Sequence, residues 1–254
     1  MTSGEPRWRH VVEAMGTVFS FDVRGVARES FGGQLAEAVA LLHRVDEVFS
    51  TYRPDSDVSR LARGEVPLER CAPEVREVLE LCDEAEAESG GWFTARYCGA
   101  WDPTGLVKGW AVERAARLLR ERGASSVCLN GGGDVQVFGG PWRIGVTDPL
   151  RPGNLIAVVA ADGPLAVATS GPSERGCHIL DPHTGAPPAA GLASVTVVST
   201  SLTAADASAT AAYAMGDRAR GWLEGRPSVE ALAVTVAGDT WRTSGFDALG
   251  SLLR

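Results

Sequence analysis

The stretch Val127-Cys128-Leu129-Asn130-Gly131-Gly132-Gly133-Asp134-Val135-Gln136-Val137-Phe138 decides the fold class. Residues 127–130 read as one strand, the glycine run breaks it, and residues 135–138 read as another. Glycines permit positive φ and a close backbone approach to a ligand; a plain tight hairpin uses them equally well. The run is not G-x-G-x-x-G and no long crossover helix follows it. That argues against a doubly wound dinucleotide-binding sheet.

Working outward, strand patterns recur at 142–147, 155–161, 165–169 and 193–200, with another at 231–236 after a short helix at 219–224. Upstream, Thr17 to Val23 alternates apolar and polar side chains, as a half-buried strand does. Leu35, Val39, Leu42, Val45, Val48 and Phe49 keep helical spacing and predict a helix from Gly33 to Phe49. Pro54 then fixes a turn. A second amphipathic helix opens at Pro73 and runs to Ser89, where Gly90-Gly91 stops it. Helical spacing returns over Lys108 to Arg122, closed by Gly123. Strands cluster with turns between them while helices stand apart, so the expected class is α+β. No repeat or linker divides residues 1–254, which read as a single unit.

Composition narrows the function. A net charge of -8, with no basic stripe, argues against nucleic acid as a partner. No apolar run approaches the length of a membrane span. Met1 to His10 is polar and carries no apolar signal core. Cysteines 71, 82, 98, 128 and 177 are scattered with no C-x-x-C pair, as reduced thiols are. The expectation is a cytoplasmic protein.

Chemistry gathers in Thr203-Ala-Ala-Asp206-Ala-Ser208-Ala-Thr210. Alanine favours helix, with Thr203 as the expected N-cap. Asp206 and Thr210 then share one face at i and i+4, two hard oxygen ligands with room beside them. Mg2+ held this way keeps positions for water and phosphate. Taken alone, a small-residue helix packed tightly on a sheet fits the stretch as well. Asp102-Pro103-Thr104-Gly105-Leu106-Val107-Lys108-Gly109 reads as a loop feeding a helix N-terminus, where Lys108 suits a phosphate; an ordinary capped helix fits equally. Of four histidines, only His178 and His183 lie close together, without the helical H-E-x-x-H arrangement of zinc hydrolases. There is no G-x-S-x-G elbow and no P-loop.

In series these pieces resemble the ApbE family of FAD:protein FMN transferases. The carriers, in family order, are Met15-Gly16-Thr17, Phe49-Ser50-Thr51-Tyr52 to Ser59-Arg60, the loop from Asp102 to Ala111, and Asn130 to Asp134. Ala168-Thr169-Ser170-Gly171, then His178-Ile179-Leu180-Asp181-Pro182-His183-Thr184-Gly185, then Thr203 to Thr210 complete them. The resemblance implies an α+β fold of mixed or antiparallel sheets whose packed helices form a flavin cleft. FAD would be the substrate, with Met15 and Tyr52 near its rings and Lys108 on its phosphates. Thr51, Thr94, Asp102, Asp134, Ser170, His178, Ile179 and Thr184 would line the site, though Asp134 and Thr184 could equally be holding their own turns. Mg2+, with Mn2+ as the alternative, would be held by Asp206, Thr210 and the carbonyl of Gly105, which tips the opening helix toward metal binding.

The implied reaction moves FMN to a threonine hydroxyl of an acceptor protein and releases AMP, with Lys108 and Asp206 serving catalysis. His178 is the candidate proton acceptor, since histidine titrates near neutrality; a histidine that only hydrogen-bonds Asp181 or a ligand oxygen fits equally. Two departures stand out. Gly91 reaches Asp102 in a short segment, with Thr94 where the family has an aspartate, and no export signal is visible. FAD hydrolysis to FMN and AMP, or FAD retention without turnover, are the alternatives.

Overall fold

The computed structural model describes residues 5–97, 100–172, 179–188 and 191–253. It opens with a hairpin of β1 (Arg7–Ala14) and β2 (Thr17–Arg24), followed by α1 (Arg28–Phe49), α2 (Asp57–Ala62) and α3 (Pro73–Ser89). A short pair, β3 (Arg96–Tyr97) and β4 (Ala100–Trp101), leads into α4 (Thr104–Glu121). Five strands come next: β5 (Ser126–Gly131), β6 (Asp134–Phe138), β7 (Trp142–Thr147), β8 (Leu155–Ala161) and β9 (Leu165–Ser170). β10 (Leu192–Ser199), α5 (Leu202–Met215), α6 (Ala219–Glu224) and β11 (Glu230–Thr235) follow, and β12 (Thr240–Arg242), α7 (Phe246–Leu249) and β13 (Gly250–Leu252) finish the chain.

Among the described residues, eight strands form one sheet in the order β1-β2-β5-β6-β9-β10-β11-β12, and β13-β8-β7 form a smaller one. Every paired neighbour in both sheets is antiparallel. The glycine run is a two-residue hairpin: Gly131 pairs with Asp134, and Gly132 and Gly133 carry φ of 58° and 95°. Two consecutive positive φ values match the twist of the flanking strands, which is why such a turn asks for glycine.

Side chains of a strand alternate between faces, so the large sheet serves two cores. Phe138, Ala166, Ala168, Val195 and Val197 face the helices with Leu42, Val78, Ala111, Leu119 and Ala205. Val135, Val137, Leu165 and Val167 face the small sheet, where Trp142, Ile144, Val159 and Phe246 complete a second core. The α+β class is as expected, and its layers are helices, large sheet, small sheet.

Several local expectations change. β1 escapes periodicity because its residues are mostly exposed at the edge of the sheet, and α2 follows directly after the Pro54 turn, where no helix was expected. α1 begins at Arg28 rather than Gly33, and α4 at Thr104 rather than Lys108, which puts Gly105 in a first helical turn instead of a loop. The side chain that caps α5 belongs to Ser201, whose Oγ accepts from Ala204 N, not to Thr203. No helix among the described residues is long and apolar enough to cross a membrane.

Candidate active site

The site grows from the way α4 and α5 cross. Gly105, Gly109 and Glu113 stand at i, i+4 and i+8 on α4 and meet Thr210, Asp206 and Thr203 of α5, running the other way. A Cβ built on Gly109 would lie 2.8 Å from both Asp206 Cβ and Leu202 O, so only glycine lets the helices approach this far. One on Gly105 would sit 3.6 Å from Thr210 Cγ2 and 3.9 Å from its Oγ1. Gly109 N–H, which an α-helix directs at the carbonyl of residue 105, donates to Asp206 Oδ2 at 2.9 Å. The Asp206 carboxylate, 6% exposed, the Gly105 backbone and the Thr210 hydroxyl are thus drawn together at one crossing. Ser170 Oγ stands 3.5 Å from Thr210 Oγ1 and joins the group from the end of β9.

A cleft of about 820 Å³ opens on this crossing. On its sheet side Lys108 Nζ approaches Asp134 Oδ2 to 2.5 Å, while Asp134 Oδ1 accepts from Thr169 N at 3.0 Å. Asp134 is buried, and its charge is set against the lysine at the start of β6, just past the glycine turn. Asp102 serves the helix it precedes: its Oδ1 accepts from Thr104 N at 3.1 Å and from Thr104 Oγ1 at 2.6 Å. An acceptor at this position satisfies donors that the first turn leaves without intrahelical partners. Thr94 donates its hydroxyl to Glu86 Oε2 at 3.0 Å and accepts from Arg96 N. Cys128 also lines the cleft; burial first, then the facing Asp22, push its thiol up to about 11.

The sequence model of the ApbE family matches residues 15–102 and 98–233. The chain belongs to the ApbE family. Curated relatives named FAD:protein FMN transferase include that of Vibrio cholerae serotype O1, 32% identical over 129 residues (46% of this chain, 39% of the relative). That of Escherichia coli K12 is 28% identical over 155 residues (56% and 44%). The matched region spans less than half the length of these relatives. In three dimensions the flavin transferase ApbE from Vibrio cholerae superposes with a TM-score of 0.83 at 21% identity, covering 96% of this chain and 99% of that one. The apo Pseudomonas stutzeri flavinyl transferase ApbE gives 0.82 at 25% identity, covering 96% and 97%. The two stretches matched by the ApbE model overlap at residues 98–102.

Of the positions that ApbE resemblance singles out, Thr94, Asp102, Gly105, Lys108, Asp134, Ser170, Ile179, Asp206 and Thr210 line the cleft. Others do not. Met15 occupies the β1–β2 turn at φ 51° and packs on the helical core. Thr51 is exposed, and Tyr52 is 95% exposed. Thr184 sits in an exposed turn, accepting from Ala186 N at 3.3 Å, where Asp181 accepts from His183 N at 2.8 Å. His183 lies edge-on to Trp92, ring centroids 4.6 Å apart. His178 lies outside the described residues. Two buried polar residues carried no motif signal, Glu113 and Gln136, and both bond to the start of α5.

Proposed function

We propose that this ApbE-family chain transfers the FMN moiety of FAD to a threonine hydroxyl of an acceptor protein, releasing AMP. The observation that carries this reading is the convergence of Gly105, Asp206 and Thr210 in the cleft that also holds Lys108. Among the described residues no three His, Cys, Asp or Glu side chains cluster as a metal site. One carboxylate, one carbonyl and one hydroxyl nevertheless form a hard-oxygen set suited to Mg2+, which keeps water and phosphate in its remaining positions. Bound there, Mg2+ would supply charge neutralisation at the diphosphate.

The chain's own residues do the rest. Lys108, steadied by Asp134, offers its ammonium to phosphate oxygens, and the cleft walls orient the dinucleotide. The acceptor hydroxyl oxygen forms a bond to the FMN-side phosphorus as the bond from that phosphorus to the bridging oxygen breaks. AMP leaves, and the hydroxyl proton passes to His178, whose chain neighbour Ile179 lines the cleft. Positioning and electrostatics carry most of the rate in phosphoryl transfer of this kind.

Water at the hydroxyl's place would give FMN and AMP instead. Tyr52, turned out to solvent, leaves that second reading a physical basis. Incubating the protein with FAD and Mg2+, with and without a threonine-bearing acceptor peptide, separates the two. Acceptor-dependent AMP and a peptide heavier by FMN support transfer; acceptor-independent AMP supports hydrolysis. Asp206→Ala should abolish AMP release in either case, and turnover surviving it would refute the assignment.

A further inference from the structure

The N-terminus of α5 is fixed by three different parts of the chain. Leu202 N donates to Gln136 Oε1 at 3.0 Å, Thr203 N to Glu113 Oε2 at 3.0 Å, and Ala204 N to Ser201 Oγ at 3.3 Å. The first turn of a helix leaves such donors without intrahelical partners, and here each finds its own acceptor. Glu113 Oε2 also accepts the hydroxyls of Ser201 at 2.7 Å and Thr203 at 2.9 Å, while Arg117 holds Oε1 at 2.7 Å. Gln136 is fully buried, and its amide nitrogen donates to Val137 O and Leu165 O at 3.2 Å each.

The origin of these acceptors is the telling point. Glu113 stands on α4, four residues beyond Gly109, as the last rung of the ladder that brings Gly105 to Thr210. Gln136 stands on β6, on the same face as Asp134 and two residues after it. The start of α5 is therefore tied to the two elements that carry Gly105 and Lys108 on one side and Asp134 on the other. Neither residue lines the cleft; Glu113 instead borders a second cavity of about 800 Å³ on the far side of α4 and α5. A slip of α5 by one residue would move Asp206 about 1.5 Å along the axis and rotate it off the crossing.

We propose that Glu113 and Gln136 are positioning residues, which set the axial place of α5 and with it the geometry of the Asp206–Thr210 oxygen pair toward a divalent cation. The inference rests on the metal reading given above. It concerns how the oxygens are held, not which groups react.

The test compares Glu113→Gln, which keeps shape and one acceptor oxygen, Gln136→Leu, which removes the acceptor, and Thr243→Ala as a stability control. Thr243 is buried and accepts from Ala231 N at 2.8 Å, and its hydrogen bonds go to β11 and α7 rather than to the start of α5. Mn2+ is titrated into each protein with FAD, with free Mn2+ read by electron paramagnetic resonance, and melting temperatures are recorded alongside. Mn2+ affinity should fall about tenfold in Glu113→Gln and further in Gln136→Leu. It should stay within twofold of wild type in Thr243→Ala, even where that variant melts as low. Excess Mg2+ should restore AMP formation by Glu113→Gln. Variants that lose melting temperature while binding Mn2+ like wild type would overturn the inference. Failure of wild type itself to bind Mn2+, with Asp206→Ala no different, would overturn the metal reading beneath it.

Discussion

Lys108 and Asp134 form an opposite-charge pair of unequal burial, the lysine side chain 19% exposed and the aspartate 2%. Removing one member of such a pair costs more than the pair contributes, because the remaining charge stays out of water without a partner. Lys108→Met should therefore lower the melting temperature by roughly 6–12 °C, taking about 3 kcal/mol for the stranded carboxylate and 2–4 °C per kcal/mol for a chain of this size. Adding Asp134→Asn should recover most of that loss without recovering AMP formation. Calorimetry and a turnover assay on the same samples check both halves. Recovery of turnover in the double variant would show that the lysine serves only to neutralise Asp134.

At the scale of elements, the α4–α5 crossing couples stability to acidity through Glu113. Burial opposes ionisation of its carboxyl. The bonds from Thr203, Ser201 and Arg117 outweigh that and hold it below the usual carboxylate range. A carboxyl lowered in the folded state contributes stability above its unfolded pKa, about 4.3, and loses it as pH falls through the folded value. The melting-temperature gap between wild type and Glu113→Gln should thus be widest near neutrality and close below pH 4.3. A gap unchanged down to pH 3, measured by circular dichroism, would contradict this. The same crossing shows what a sequence reveals and withholds. Asp206 and Thr210 share a helix face by spacing alone, so their partnership was legible. The cap was not: Ser201 and Thr203 both have suitable hydroxyls, and Glu113, from a distant helix, engages them both while Ser201 alone bonds Ala204 N.

For the whole molecule, a ligand that enters the cleft bridges helices and sheet and should stabilise both. FAD with Mg2+ at a hundred times its dissociation constant should add about 2.7 kcal/mol, or roughly 5–10 °C in melting temperature. Chelating the metal should take back part of that gain, and no shift with FAD at high concentration would argue against the cleft as its site. The α+β class was readable because strand patterns cluster with turns between them, helices stand apart, and no long crossover helix follows Val127 to Phe138. The layering was not, since alternation tells which positions are buried but not what covers them. Nor could the sequence give the direction of Tyr52, because a matched motif letter does not fix how a short turn projects its side chain.

Strand β6 holds a tighter consequence. Asp134 and Gln136 face the helices while Val135 and Val137 face the small sheet, and every one of its residues is buried. A frame offset of a single position at the glycine turn would exchange the two sets. It would send the polar pair into the greasy seam behind the sheet and leave valines where the lysine and the helix start expect oxygens. Lengthening or shortening that loop by one residue thus amounts to a double lesion, in folding and in chemistry together.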